Sequence, residues 1–396
     1  MLNSNIIVHK AENTQIYYPT SVTNSTLYVG DETETAQKVK TLYIGKKNSA
    51  GTSVATKVKK LYVGDENGVA RLCYKLPDTV SMGGLLQPFA DTDFSCYPTA
   101  VTNDKYAIIT CSQSITAYNS SFATVPIEPL SRSRYWCGGG KIGKYALIAG
   151  GGSDATTEYI KAFTDVDIYD TSLTHTTTNL STATIDLPSA NVGDYVVFSG
   201  GTARDEDTGE RWGVSNWDAF SSSLTKTSGT GGHAYYEGAA GWNSNYAIFA
   251  CGTSGDYVYG SGKAFNSSLT RTSVSLYSGG NRGGGNVGNY AIFTGFVASN
   301  IDASDSELEV FNTSLTKTIH SDLLPYYGQS SGPIRNLGEY AIIYTCVSSK
   351  VNNITGAAIV LDPSLTVTLA NIGWRPYITD TRNGAVTFGN NILYCD

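Results

Sequence analysis

The sequence contains little charge, and the balance of that charge is negative. Asp, Glu, Lys and Arg make up 15% of the 396 residues, and the formal net charge is −7, whereas soluble domains usually have about a quarter of charged residues. This composition argues against the broad basic face that nucleic-acid binding requires. We therefore predict no nucleic-acid partner.

Long hydrophobic runs are also missing. The start of the chain, Met1–Lys10, has no apolar core of the length that a signal peptide needs, and no later stretch is long enough to span a membrane. We therefore expect synthesis in a reducing cytoplasm without membrane insertion. This expectation leaves open a release through lysis or through a route without a signal peptide.

Cysteine and histidine are few and are not clustered. The seven Cys are an odd number without metal-type spacing, and we expect them to be small buried hydrophobic residues rather than a disulfide framework. His9, His175, His233 and His320 are scattered along the chain, which argues against a Ser-His-Asp arrangement or a metal cluster. We predict no metal site, no catalytic residue and no cofactor.

Helices have little support in the composition, since no long run of residues has helical apolar spacing. The abundant residues are instead Gly, with 42, and Tyr, with 27, and Ser and Thr occur throughout. These residues favour many short strands joined by tight turns. The predicted fold class is all-β.

A repeat of about fifty residues runs through most of the chain. Its first phrase is a Tyr followed by three apolar residues, which recurs at intervals of 39 to 51 residues and begins at Tyr106, Tyr145, Tyr195, Tyr246, Tyr290 and Tyr340, with a degenerate copy at Asn391–Tyr394. Its second phrase places a Ser-rich turn after Tyr118, Tyr169, Phe220, Phe265, Phe311 and Leu361. A period of this length is typical of propellers and other repeat arrays.

Each copy predicts four strands, named a to d from the axis outward, which together form a propeller blade. The Tyr phrase is the buried strand b and the second phrase is strand c. The c–d turn follows from Asn, Asp and Ser, whose side chains bond their own backbone. In this strand order the a–b and c–d turns lie on one face, and the b–c and d–a connections lie on the other.

The repeat resembles the kelch motif. A Gly doublet follows strand b at Gly150-Gly151 and Gly200-Gly201, and Ile168–Leu173 is similar to the second kelch strand, although the kelch Trp of the fourth strand is absent. This resemblance implies a kelch-like β-propeller over residues 76–396. We predict seven blades, with six and eight as the alternatives. The last blade has only its inner strands, around Arg382–Tyr394, and a strand from Arg71–Met82 would close it.

Residues 1–75 form a separate module with a shorter repeat. Strand-like phrases begin at Leu27, Leu42 and Leu61 and alternate apolar and polar residues before a turn. The module has ten Lys and Arg against six Asp and Glu, a net charge of +4, which favours a partner different from that of the acidic remainder. Lys on strand edges also prevents unwanted edge pairing, which is the other explanation. Such short strands bury little alone, so we expect an attachment or oligomerisation module.

Two phrases of this module, Lys57–Gly64 and Gly68–Arg71, resemble modules of structural proteins from phages and prophages of Gram-positive bacteria. That resemblance implies a tail-associated, receptor-binding protein in the virion. The module would then bind other tail or baseplate proteins, and the protein would assemble as a homo-oligomer.

Function is expected on the b–c and d–a face, because those connections differ between copies and binding sites tend to lie on variable loops over a rigid frame. Aromatic rings and Arg suit carbohydrate, since sugar C–H faces stack on rings and sugar hydroxyls and acids take hydrogen bonds. The candidate binding residues are Arg134, Tyr135, Trp136, Tyr159, Trp212, Trp217, Tyr235, Tyr236, Tyr257, Tyr259, Tyr326, Tyr327, Arg335, Trp374, Arg375 and Tyr377. The alternative is that these rings pack beneath their own loops or fill the hub.

The leading hypothesis is a non-enzymatic phage or phage-like tail protein that recognises a host cell-surface glycan or other receptor. The first alternative is a glycan hydrolase or lyase, which would use two carboxylates from acidic loops such as Asp205–Glu210 and Asp302–Glu307. The former loop slightly resembles a calcium loop but does not fit the twelve-residue pattern, so we interpret it as solvated. The second alternative is a protein-interaction propeller.

Overall fold

In the computed structural model, the chain divides into two compact units, Met1–Ser81 and Met82–Asp396. The structure describes eight strands of the first unit and, in the second unit, residues 98–112, 114–153, 160–205, 207–234, 238–250, 252–254, 257–258, 260–276, 283–295, 307–320, 334–337, 340–345, 357–371, 385–388 and 391–394. The predicted boundary after residue 75 stays a prediction.

The eight described strands of the first unit form four antiparallel hairpins, each made of two strands that are neighbours in sequence. The strands are β1 (Val8–His9), β2 (Gln15–Ile16), β3 (Tyr28–Gly30), β4 (Ala36–Lys38), β5 (Tyr43–Lys47), β6 (Ser53–Lys57), β7 (Lys60–Gly64) and β8 (Ala70–Lys75). The three repeated phrases predicted as strands fall on β3, β5 and β7.

The described residues of the second unit form six four-stranded antiparallel sheets, the blades. Blade 1 consists of β9 (Thr99–Thr102), β10 (Ala107–Cys111), β11 (Ser114–Tyr118) and β12 (Thr124–Val125), and blade 2 of β13 (Gly138–Ile142), β14 (Tyr145–Ala149), β15 (Asp165–Tyr169) and β16 (His175–Asn179). Blade 3 consists of β17 (Ser189–Val192), β18 (Tyr195–Ser199), β21 (Trp217–Ser221) and β22 (Lys226–Gly229), with the hairpin β19 (Thr202–Arg204) and β20 (Arg211–Gly213) inserted between strands b and c.

The remaining blades follow the same order of strands. Blade 4 consists of β23 (Ala239–Trp242), β24 (Tyr246–Ala250), β27 (Ser261–Asn266) and β28 (Arg271–Ser275), with the short hairpin β25 (Thr253–Ser254) and β26 (Tyr257–Val258) between b and c. Blade 5 consists of β29 (Gly283–Val287), β30 (Tyr290–Gly295), β31 (Glu307–Phe311) and β32 (Lys317–His320). Blade 6 consists of β33 (Ile334–Leu337), β34 (Tyr340–Thr345), β35 (Ala357–Leu361) and β36 (Val367–Asn371), and the hairpin β37 (Ala385–Phe388) and β38 (Asn391–Tyr394) follows it.

The all-β propeller is confirmed, but the blade count is six rather than the predicted seven. Among the described residues, the last repeat forms the two-stranded sheet β37–β38, and β37 contacts strand a of blade 6 and strand a of blade 1. The predicted closing strand, Arg71–Met82, does not complete this sheet within the described residues. Its first part is β8, which pairs with β7, so that Gly64 lies opposite Ala70. The strand that was expected to pair with the end of the chain thus pairs with its neighbour in a short hairpin.

Burial explains the composition of each strand. Strand b of blade 2, Tyr145–Ala149, lies between two other strands of its sheet, and its four residues after the Tyr have no exposed surface. Strand d of blade 4, Arg271–Ser275, forms a sheet edge and is mostly exposed. A strand that is covered on both faces favours a continuous apolar run, whereas an exposed one favours Thr, Ser and charged residues. The apolar sequence of strand b and the Thr- and Ser-containing sequence of strand d follow from this difference.

The c–d turn is held by its own first side chain, as predicted. In blade 4, Asn266 Oδ1 accepts the backbone N–H groups of Ser268 at 3.0 Å and Thr270 at 2.9 Å. The backbone N–H of Leu269 donates to the Asn266 carbonyl at 2.8 Å. Equivalent bonds occur at Asn119, Asp170, Asn312 and Asp362.

The a–b turn of one blade touches the c–d turn of the next. Asn103 Nδ2 of blade 1 donates to the carbonyl of Asp170 in blade 2 at 2.8 Å, and Asn243 Nδ2 of blade 4 donates to the carbonyl of Asn312 in blade 5 at 3.0 Å. In blade 3 the turn residue is Gly193, where φ is +55° and an added Cβ would lie 2.9 Å from Ser267 of blade 4. On the less variable face, turns of these neighbouring blades therefore lie against each other.

Candidate functional site

The b–c and d–a connections of blades 1 and 2 meet through backbone hydrogen bonds. Arg134, which lies between blades 1 and 2, donates its N–H to the carbonyl of Ser112 in the b–c connection of blade 1 at 3.3 Å. Tyr135 exchanges two backbone hydrogen bonds with Gly152 of the b–c connection of blade 2, at 2.9 and 2.8 Å. The predicted placement of both kinds of connection on one face is thus confirmed for these blades.

These contacts continue into blade 3. Asp186, between blades 2 and 3, donates its N–H to the carbonyl of Trp136 at 3.0 Å, and Ile185 exchanges two backbone hydrogen bonds with Thr202 at 2.9 and 2.8 Å. Because Thr202 begins β19, the base of the hairpin β19–β20 is fixed to the connection before it. We call Tyr135, Trp136, Asp186 and this hairpin the loop surface.

Two residues of the loop surface have a left-handed backbone. The φ angle is 53° at Trp136 and 55° at Asp186, and the two positions are equivalent in the repeat because they lie fifty residues apart. Holding a residue with a Cβ in this backbone conformation costs about 1–3 kcal/mol of free energy. Such residues are concentrated at functional sites. The strained backbone is therefore a repeated feature of this connection.

The register of the hairpin β19–β20 separates two kinds of side chain. Ala203 lies opposite Trp212, and Arg204 lies opposite Arg211. Since side chains alternate along a strand, the Trp and the two Arg belong to opposite faces of the hairpin. Trp212 is 50% exposed, whereas Ala203 is buried. The only other exposed large hydrophobic side chain in the described part of the chain is Ile319, on strand d of blade 5.

Charges around the hairpin affect one another. Burial and the charge of Arg211 lower the pKa of Arg204, while the carboxylate of Asp186 acts in the opposite direction. At the hairpin tip, the backbone N–H groups of Thr208 and Asp207 lower the pKa of Asp205. Both N–H groups donate to Asp205 Oδ1 at 2.8 Å. The Asp205 carboxylate therefore closes the tip of its own loop.

Arg134 lies inside the propeller rather than on the loop surface, and its side chain has no exposed area. Its Nη2 donates to Asp167 Oδ2 and, at 2.9 Å, to the Ile148 carbonyl. Asp167 also accepts hydrogen bonds from the N–H of Ser131 at 2.9 Å and from His175 Nε2 at 2.6 Å. The buried carboxylate thus anchors the connection that carries Tyr135 and Trp136.

The next blade repeats this anchor without the arginine. Asp218 Oδ2 accepts the N–H and the hydroxyl of Ser181, each at 2.9 Å. Both anchoring aspartates lie two residues before the aromatic residue of strand c, and each binds a Ser that follows a Leu in the preceding d–a connection. Sequence reasoning missed these anchors, although their matching positions in two repeats could have indicated them.

Trp217 is also internal, at 7% exposure. Its ring meets the ring of Phe265 edge to face, with centroids 5.4 Å apart, and it belongs to the core cluster shared by blades 3 and 4. The guanidinium of Arg271 lies 6.0 Å from its ring centroid. The alternative that some candidate rings pack beneath their loops thus describes Trp217.

The other candidates are distributed as follows. Tyr135 and Trp136 are half-buried, with ring centroids 6.1 Å apart. Arg335 lies on strand a of blade 6 and donates from Nη1 to the Ile334 carbonyl at 3.0 Å. Outside the described side chains lie Tyr159, Tyr235, Tyr236, Tyr257, Tyr259, Tyr326, Tyr327, Trp374, Arg375 and Tyr377.

Metal-binding and cysteine chemistry can be assessed for the described residues. Within the described ranges, no group of three or more His, Cys, Asp or Glu could hold a metal ion. The thiol of Cys137 is buried, and burial raises the pKa of that thiol to about 11. In the part of the chain that the structure describes, no helix has the length and apolar character needed to cross a membrane.

Comparisons with known proteins add a fold similarity. No protein-family model matches the sequence, and no curated protein matches it. Among solved structures, the chain is similar to one titled "Structure of YjhT", with a TM-score of 0.48 and 9% sequence identity over 70% of this chain and 98% of that chain. Similarity at this level carries no information about function. The class that the fold itself defines is an all-β propeller.

Proposed function

We propose that this protein is a recognition protein of a phage or phage-like tail, and that its loop surface binds a glycan or another receptor on a host cell. The observation that carries this proposal is Trp212, which is half exposed on a hairpin fixed at its base. The module at residues 1–75 contains phrases that resemble phage structural modules. It would attach the protein to the tail.

The hairpin offers the contacts that a sugar uses. The face of an indole ring stacks on the C–H groups of a sugar, and guanidinium groups donate hydrogen bonds to hydroxyl or acid oxygens. Trp212, Arg204 and Arg211 supply these groups within two paired strands. Backbone hydrogen bonds already order the base of the hairpin, so binding there requires little further loss of conformational freedom.

The test is binding of the full chain to host cells and to a glycan array. Trp212→Ala is expected to weaken binding by a factor of about 30 or more, since truncating a central aromatic contact costs about 2 kcal/mol or more. Ile319→Ala is the matched control because it removes the other exposed large hydrophobic side chain of the described residues, on a different blade.

Two outcomes would contradict the proposal. Unchanged binding by the Trp212→Ala protein would exclude the loop surface as the binding site. Absence of binding to any cell or glycan would exclude recognition as the function. Release of oligosaccharide from a bound polysaccharide would instead support a hydrolase or lyase.

A further inference from the structure

Trp212 and Glu210 lie on the same face of the hairpin β19–β20. Strand pairing continues just before β20, because the backbone N–H of Asp205 donates to the carbonyl of Glu210 at 3.0 Å. Side chains alternate along a strand, so Glu210 shares the face of Trp212, whereas Arg211 between them belongs to the other face. Two residues of a strand advance about 6.5 Å, a separation that one sugar ring can span.

The indole ring and the carboxylate on this face are both open to a ligand. Trp212 and Glu210 are exposed, and among the described residues the structure gives neither the indole nor the carboxylate a hydrogen bond, ion pair or ring contact. The backbone at Glu210 is nevertheless held, since its N–H donates to Thr208 Oγ1 at 3.3 Å and its carbonyl accepts the N–H of Asp205. The hairpin therefore presents an ordered acceptor next to an exposed ring.

The charge beside the indole ring is negative. Asp205 lies opposite Glu210, and the backbone N–H groups of Thr208 and Asp207 lower the pKa of Asp205, so this carboxylate stays ionised at neutral pH. Asp207 is exposed at the hairpin tip. Like charges repel, and specificity is often built from such repulsion. A ligand on this face is therefore favoured when it presents hydrogen-bond donors and disfavoured when it carries an acidic group.

We propose that Trp212 and Glu210 form one sugar subsite. The ring of a non-acidic sugar stacks on the indole, and its hydroxyl or ammonium groups donate hydrogen bonds to the Glu210 carboxylate. Aromatic rings provide the apolar contact, and a carboxylate accepts charge-assisted hydrogen bonds that are stronger than neutral ones. The inference rests on the proposed function and assigns Glu210 as the residue that selects glycans by their charge.

The experiment measures binding of the full chain to a glycan array with matched sets, in which one sugar is neutral, carries an amino group or carries a carboxylate. The native protein should bind a neutral or amino form and discriminate against its acidic counterpart. Glu210→Gln is expected to weaken binding to the preferred form by about tenfold or more and to reduce that discrimination. Glu210→Lys should favour the acidic form. A purely structural role of Glu210 would weaken all forms equally.

Asp207→Asn is the matched control. It removes a negative charge from the same hairpin tip, three residues from Glu210, and leaves the side chains of Trp212 and Glu210 in place. This variant should bind every form of the glycan like the native protein. Because Asp207 and Glu210 are exposed, all three variants should unfold at the native temperature, which thermal unfolding checks. Stronger binding of the amino form than of the neutral form identifies an ammonium group as the donor.

The outcomes separate this inference from the proposed function. If Glu210→Gln binds all forms like the native protein, or if the native protein prefers acidic forms, the subsite is wrong and recognition stands. Equal losses in Asp207→Asn and Glu210→Gln would attribute the effect to the charge of the tip and overturn the assignment to Glu210. If cells are bound through Trp212 but no glycan is bound, recognition stands and the sugar subsite falls. If neither a cell nor a glycan is bound, the proposed function falls together with the subsite.

Discussion

Each of the six c–d turns places a bulky residue in the left-handed region of the backbone. The φ angles of 59° to 62° belong to Phe122, Leu173, Leu224, Leu269, Leu315 and Leu365. This conformation costs about 1–2 kcal/mol for a residue with a Cβ. Packing offsets the cost: Leu269, for example, contacts the cluster that contains Phe249 and Phe265. The position therefore combines backbone strain with side-chain burial.

This combination predicts an unusual order of stabilities at Leu269. Leu269→Ala keeps the strain and loses packing, so it should lower the free energy of unfolding by about 1–2 kcal/mol, because the side chain is only partly buried. Leu269→Gly loses the same packing but relieves the strain, and it should be more stable than the Ala variant by about 1 kcal/mol. Urea unfolding of the full-length variants measures both values.

The control is Ala264→Gly on β27, a strand position without positive φ. There Gly should be less stable than Ala by about 0.5–1 kcal/mol. If Leu269→Gly is also less stable than Leu269→Ala, packing by the remaining Cβ outweighs backbone strain in the turn.

Single residues also show where sequence reasoning ends. An arginine and a tryptophan in variable connections favour a surface role on composition alone, and Arg134 and Trp217 were both candidates for that reason. Arg134 is internal because Asp167, 33 residues later, accepts its hydrogen bond. Trp217 is internal because the neighbouring blade supplies Phe265. Such pairings depend on which blades are neighbours, and local sequence patterns do not contain that information.

At the level of elements, contacts between neighbouring turns connect the blades on the less variable face. Asn243 has two functions at its a–b turn. Its Oδ1 accepts the N–H groups of Asn245 at 3.0 Å and Tyr246 at 2.9 Å, and its Nδ2 donates to the carbonyl of Asn312 in blade 5. The first function forms the turn, and the second joins two blades.

Asn243→Asp separates these two functions. The carboxylate keeps the acceptor but loses the Nδ2 donor and places a negative charge beside carbonyl oxygens. Since Asn243 is buried at 4% exposure, we expect a loss of about 1–3 kcal/mol in the free energy of unfolding, measured by denaturant unfolding.

Asn266→Asp is the matched control for this prediction. Its side-chain oxygen accepts two N–H groups within the c–d turn, and Asp already occupies the equivalent positions at Asp170 and Asp362. The control should therefore be close to neutral. Equal losses in the two variants would show that the bond between blades contributes nothing measurable.

Sequence patterns predict an element well when the residues of that element alone determine its structure. Three consecutive apolar residues after Tyr290 or Tyr246 predict strand b, and Asn-Ser-Ser at Asn266 predicts the c–d turn. The hairpin β19–β20 was predicted only as a variable loop, because its short strands lie among acidic residues and a Gly that favour solvated turns. Its paired arginines could be recognised only from the register.

At the scale of the whole molecule, contacts between the innermost strands close the propeller. Strand a of each blade contacts strand a of the next, from β9 through β33, and β37 contacts both β33 and β9. The predicted seventh repeat is thus present as a hairpin that completes the circle of a strands. The prediction that this repeat belongs to a complete four-stranded blade was wrong. The strand expected to complete it, β8, pairs with β7 instead.

Ending the chain after residue 371 tests this closure. The truncation removes β37 and β38, so strand a of blade 1 and strand a of blade 6 each lose a neighbour. Blades are apolar where they face each other, as in the cluster of Val287, Ile292 and Ile334, so an open ring presents apolar surface that favours self-association. Light scattering after size exclusion should show larger assemblies than the full chain forms, and denaturant unfolding should begin at lower concentration. A chain that lacks only Cys395 and Asp396, beyond β38, should behave like the full protein. If the long truncation keeps the same size and unfolding midpoint, the contacts of β37 with β9 and β33 do not hold the propeller closed.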